Sequence, residues 1–121
     1  MRLVFDLTVS TSAPSEARDI LGALAGDLEP ETLGDLRIVV SELVSNAVKY
    51  GPGTPIHVEL DVSAPDRIQG GIADHGEPSS APRIHERPGA HGGYGMRLVD
   101  ALATAWGIRM GTTDVWFELG G

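Results

Sequence analysis

Over residues 2–9, Leu3, Phe5, Leu7 and Val9 fall on alternate positions, the period-two pattern of a strand with one buried side. Val4 is the apolar exception on the other side. Ala17, Ile20, Leu21 and Leu24 then recur at helical spacing. Ser12 suits the N-cap of that helix, Pro14 is tolerated in its first turn, and Glu16 suits the positive end of the helix dipole. Gly26 and Asp27 close it. Pro30 opens a second helix and Gly51 follows its end, with Leu33, Leu36, Val40, Leu43 and Ala47 forming an i, i+3, i+4 stripe. Val39 and Val44 widen the stripe, which predicts a deeply buried helix. Gly51, Pro52 and Gly53 stop it.

Residues 56–62 alternate cleanly, with Ile56, Val58, Leu60 and Val62 on one side. After a turn at Ala64, Pro65 and Asp66, residues 67–74 predict a second strand, weakened by Gly70 and Gly71, and the two form a hairpin. Periodicity then disappears over residues 75–92, a Gly-, Pro-, Ser- and His-rich loop. A loop of this length in a compact domain usually serves function or moves. Residues 96–106 suit an amphipathic helix through Met96, Leu98, Val99, Leu102 and Ala103. Residues 107–110 and 114–119 predict a final hairpin across Gly111, Thr112 and Thr113. The order strand, helix, helix, strand, strand, loop, helix, strand, strand lacks the regular alternation of a doubly wound fold and predicts an α+β fold, with helices layered on one face of a mixed sheet.

The chain has 121 residues, which suits one domain, and 41% hydrophobic with 21% charged residues is ordinary for a folded protein. No repeat or second domain is evident, so residues 1–121 are expected to form one unit. The net charge of −8 repels phosphate backbones and argues against nucleic-acid binding. No run is long and apolar enough to span a bilayer and no secretory signal pattern is present, which argues against a membrane partner. The chain contains no cysteine, which excludes disulfides and thiolate metal sites and fits a reducing cytoplasm.

Three short stretches carry possible chemistry. Glu42 and Asn46 are i and i+4 on one side of the second helix, and Lys49 continues that side. An amide oxygen can ligate a hard cation such as Mg²⁺, and a carboxylate can take a proton from a hydroxyl. The same pair equally suits a solvated helix rim. Asp74, His75 and Gly76 end a strand, where a carboxylate can accept from an exocyclic amine and a glycine lets a flat ring approach. An ordinary strand-to-turn Asp reads the same way. Gly92, Gly93, Tyr94 and Gly95 precede a helix, where exposed amides can hold an anion, or where the glycines form a hinge. No strand immediately precedes these glycines and no Gly-Lys-Ser/Thr follows, so Rossmann and Walker readings fail. His75, His85 and His91 share one loop, but their spacing matches no standard zinc pattern.

Taken together and in this order, the stretches resemble the gyrase, heat-shock-chaperone, histidine-kinase and MutL superfamily of ATP-binding domains. Within it, the chain is most similar to bacterial anti-sigma-factor serine/threonine kinases of the single-domain actinobacterial type. Residues 39–51, VVSELVSNAVKYG, resemble the family's N box. Asp74, His75 and Gly76 resemble its first glycine box, and residues 93–99, GYGMRLV, its second. Gly111, Thr112 and Thr113 with residues 115–119, VWFEL, resemble its last strand pair.

The resemblance implies a Bergerat-type fold: a two-layer sandwich with helices on one face of a mixed, mostly antiparallel sheet. It implies Glu42 as general base, Asn46 as the Mg²⁺ ligand and Asp74 as acceptor for the adenine amine, with Gly76 beside the ring. Gly93 and Gly95 would line the phosphates, with Met96 and Lys49 among the nucleotide-binding residues and Thr113 at the adenine edge. Residues 77–92 would form a short ATP lid. Two departures stand out: Pro78 stands about where a second glycine is usual, and Asp114 falls about where many relatives carry the adenine-side threonine. The implied cofactors are ATP and Mg²⁺, and the implied partners are a sigma factor, an anti-anti-sigma (antagonist) protein or both, together with a homodimer mate. The competing reading is a non-catalytic ATP-binding module that sequesters a regulatory partner.

Overall fold

The computed structural model describes residues 1–51, 53–74, 94–109 and 114–120. Five strands, β1 (Arg2–Leu7), β2 (Ile56–Ala64), β3 (Arg67–Ala73), β4 (Ala105–Ile108) and β5 (Val115–Leu119), form one sheet in the order β1-β2-β3-β5-β4. All four pairings are antiparallel, so the sheet expected to be mixed is antiparallel throughout its described strands. Among the described residues, three α-helices, α1 (Ala13–Ile20), α2 (Pro30–Tyr50) and α3 (Tyr94–Leu102), complete an α+β fold of two layers. Helix α2 runs between α1 and α3 and packs on β3 and β5.

Register explains why one face of the sheet is apolar. Leu3, Phe5 and Leu7 stand opposite Leu60, Val58 and Ile56, and Ile68 and Ile72 stand opposite Leu119 and Val115. Directly opposed residues share a face, so the alternating patterns of separate strands add to one surface. Helix α2 covers it with Leu36, Val39, Val40 and Val44, all fully buried. Each such side chain contributes about 1.5–3 kcal/mol relative to exposure. The core extends to Ala17, Leu21 and Leu24 beside α2 and to Val99 of α3.

Gly70, expected to weaken β3, has a packing role in the structure. It stands between Leu60 and Phe117, and a β-carbon there would lie 2.5 Å from Phe117 Cζ and 2.7 Å from Leu60 Cδ2. The missing side chain is the space that the buried Phe117 ring fills.

Several expected boundaries move. β1 ends at Leu7 rather than at residue 9, because its partner Ile56 is the first residue of β2. Ser12 precedes α1 but makes no side-chain cap bond; its backbone is already helical, and its hydroxyl donates to Glu16 Oε1 at 3.2 Å instead. The helix expected to reach Leu24 tightens into a 3-10 turn over Leu21–Leu24. The helix expected over residues 96–106 ends at Leu102, and Ala105 and Trp106 belong to β4. Trp106 stands opposite Phe117, the Thr104 amide donates to the Glu118 carbonyl at 2.8 Å, and the Trp106 indole N–H donates to Asp100 Oδ1 at 2.9 Å. Sheet pairing therefore overrides a pattern that also suited a helix. The final hairpin holds: the Arg109 amide donates to the Asp114 carbonyl at 2.9 Å. Its expected turn, residues 111–113, lies outside the described residues.

Candidate nucleotide site

Helix α2 begins and ends where Pro30 and Gly51 predict. Pro30 occupies the first turn, where a missing N–H leaves no bond unmade. Gly51 donates its amide to the Ala47 carbonyl at 2.9 Å and turns the chain out in an extended conformation. Its glycine identity comes from close approach, not from handedness: a β-carbon there would collide with the Ala47 carbonyl oxygen.

The same missing atom leaves room for Asp74. Its Oδ2 lies 3.2 Å from where a Gly51 β-carbon would stand. Asp74 directly follows β3 and is half-buried, and its carbonyl accepts a hydrogen bond from Thr54 Oγ1 at 2.7 Å. The end of a strand in the sheet and the end of a helix in the other layer thus meet, with a carboxylate between them.

Glu42 and Asn46 are both half-buried on α2, and Lys49 is exposed in its last turn. Asn46 lies about 7.5 Å along the helix axis from Gly51, at about 1.5 Å per residue. Its Nδ2 donates to the sulfur of Met96 at 2.7 Å. Met96 lies in the first turn of α3, as does Gly95, so that turn runs beside the second half of α2. Of the residues expected at the site, Glu42, Asn46, Lys49, Asp74, Gly95 and Met96 are described. Gly76, Gly93, Thr113, Pro78, the loop histidines and the lid at residues 77–92 lie outside the described residues.

Two contributions had no clear signal in the sequence. Thr54 holds the backbone at Asp74, yet nothing in its neighbourhood marks it. Gly51 reads as a helix stop, and its second role, admitting a carboxylate from 23 residues further along, needs the sheet to be assembled. Among the described residues, no group of three or more His, Cys, Asp or Glu could hold a metal. Among the described residues, no helix is long and apolar enough to cross a membrane.

A cluster of charged groups lies away from these residues. On the face of the sheet opposite the helices, His57 Nδ1 meets Asp6 Oδ1 at 2.6 Å and Nε2 meets Glu59 Oε1 at 3.0 Å. Arg2 also reaches Glu59, at 3.2 Å. Hydrogen bonds to Glu59 and then Asp6 raise the His57 pKa above 6.5, and the bond from His57 lowers that of Glu59 below 4.5.

Residues 8–118 match the family described as histidine kinase-like ATPase domain. The fold is similar to that of the crystal structure of the RsbU and RsbW domains of Rv1364c from Mycobacterium tuberculosis, with a TM-score of 0.70 at 21% identity. That match covers 98% of this chain and 31% of the other, so the chain spans about a third of the length of the solved relative. None of the curated proteins matches the chain at a significant level.

Proposed function

The chain belongs to the histidine kinase-like ATPase domain family, and from that membership we propose that it is an ATP- and Mg²⁺-dependent serine/threonine kinase of the anti-sigma-factor type. Its substrate is a serine or threonine hydroxyl on a partner protein that antagonises the anti-sigma factor. The observation that carries the reading is the Asp74 carboxylate packed against Gly51, at the end of the helix that bears Glu42 and Asn46. The likeness in fold to a chain containing an RsbW domain, and the N-box resemblance of residues 39–51, support the kinase class.

The donors suit the proposed ligand. Asp74 is an acceptor beside a backbone stripped of its side chain, which suits a flat ring bearing an amine. Asn46 engages its amide nitrogen with Met96, and among the described residues its oxygen accepts no hydrogen bond. An amide oxygen is a hard donor of the kind Mg²⁺ prefers. When bound, the magnesium nucleotide supplies the transferable phosphoryl group with its charge partly offset.

The remaining work falls to side chains of this chain. Asp74 orients the base, Asn46 holds the cation, and Glu42 orients the attacking hydroxyl. The hydroxyl oxygen bonds to the terminal phosphorus as the bond to the nucleoside diphosphate breaks, and the hydroxyl proton passes to the Glu42 carboxylate. Positioning and charge stabilisation are the main requirements of this chemistry.

Titration calorimetry with ATP, with and without Mg²⁺, tests the site first. Heat with a defined stoichiometry is expected, and Asn46→Ala should remove most of the contribution from Mg²⁺. Glu42→Ala should retain binding and lose transfer of radiolabelled phosphate to a co-purified partner. Binding without transfer in the unmodified protein would favour the non-catalytic sequestering module. Flat titrations throughout would end the nucleotide reading.

A further inference from the structure

Asn46 and Met96 are 50 residues apart in the chain and meet between α2 and α3, both half-buried. A carboxamide has two nearly isosteric ends, one that donates and one that accepts. If Asn46 is to hold a cation, as proposed above, only its oxygen can do so, and the amide must present that end. Resting on that reading, we infer that Met96 is a positioning residue that orients the Asn46 carboxamide for the cation.

The chemistry of the contact sets the direction. A thioether sulfur carries lone pairs and no proton, so it accepts and cannot donate. Turning the amide over would set oxygen lone pairs against sulfur lone pairs. The arrangement with Nδ2 toward Sδ is therefore the favourable one, and it turns Oδ1 away from the sulfur. The contact favours one of the two orientations, which lowers the cost of ordering the side chain when a cation binds. A leucine at position 96 fills a similar volume but offers no acceptor, which leaves both orientations of the amide open. The sulfur is a weak acceptor, so the effect is moderate, about five-fold in affinity.

A second consequence comes from the location of Met96 in the first turn of α3. The bond links that turn to the half of α2 carrying Glu42 and Asn46. Removing the acceptor alters the cation-dependent part of binding while leaving the buried Val99 contact of α3 in place.

The test is Met96→Leu, with ATP affinity measured by calorimetry in Mg²⁺ and again in EDTA. The expected result is about five-fold weaker binding in Mg²⁺, a smaller ratio between the affinities in Mg²⁺ and in EDTA, and an unchanged melting temperature without nucleotide. In an Asn46→Ala background, Met96→Leu should have no further effect on the Mg²⁺ dependence, since the group it orients is gone. If Met96→Leu keeps the full Mg²⁺ dependence of the unmodified protein, the positioning role is wrong and the nucleotide site stands. If the unmodified protein binds ATP equally with and without Mg²⁺, the cation role of Asn46 fails and the inference fails with it. A measurement on the unmodified protein guards against a poorly folded variant. The Asn46 side-chain NH₂ signals, assigned by their loss in Asn46→Ala, should include one proton protected from exchange before Mg²⁺ is added. Two rapidly exchanging protons would overturn the contact.

Discussion

Asp74 Oδ2 lies 3.2 Å from the place a β-carbon would occupy on Gly51, so a helix end and a strand end share one small space. Gly51→Ala fills it. The added methyl also collides with the Ala47 carbonyl oxygen, although the extended backbone of Gly51 would accept alanine by its dihedral angles. The expected cost is about 1–3 kcal/mol of stability, as for other overpacked sites. Weaker ATP binding should accompany it as Asp74 is displaced. Urea unfolding and nucleotide titration of the same variant check both, and an unchanged ATP affinity would separate Asp74 from the site.

Gly70→Ala tests the packing of the core. A methyl at position 70 would stand 2.5 Å from Phe117 Cζ and 2.8 Å from Cε1, and both Phe117 and Leu60 are almost fully buried. Neither neighbour can retreat to solvent. Destabilisation of about 1–3 kcal/mol is expected, read as a lower urea midpoint at unchanged slope. Phe117→Leu added to Gly70→Ala should recover part of the loss, and purely additive costs would contradict this account of the contact.

The exposed face of the sheet predicts a pH dependence. His57 donates from both ring nitrogens to Asp6 and Glu59 only when protonated; a neutral ring turns one lone pair toward a carboxylate. Arg2 and Asp6 on β1 and Glu59 on β2 are the charged groups around it, and Ala73 stands opposite on β3. Because the His57 pKa is raised, its contribution is complete below 6.5 and is lost as pH rises through the higher folded-state value. Because the Glu59 pKa is lowered, its contribution is present above 4.5 and is lost as pH falls through the lower folded-state value. The cluster therefore stabilises most between 4.5 and 6.5. Solvent screening keeps the effect below about 1 kcal/mol. The urea midpoint should decline from about pH 6 to about pH 8, and His57→Gln should flatten that decline. An equal slope in both proteins would assign the titration to other groups.

The local rules of the chain determined much of this molecule. Pro30, the apolar stripe from Leu33 to Ala47 and Gly51 bound α2 correctly, because capping and period are properties of neighbouring residues. The alternation of β2 and β5 likewise marked their buried sides, and residues 39–51 announced the family that the match over residues 8–118 establishes. Only the assembled fold decided that Trp106 is in a strand, since residues 96–106 satisfy helical spacing until β5 offers a partner. It alone brought Asn46 to Met96, Asp74 to Gly51 and His57 to Asp6. Each of these contacts joins residues at least 23 positions apart, and local propensity carries no information on which distant surfaces will meet. The packing of α2 between its helical neighbours and across β3 and β5 supplies that information, by bringing the ends of separate elements to one place.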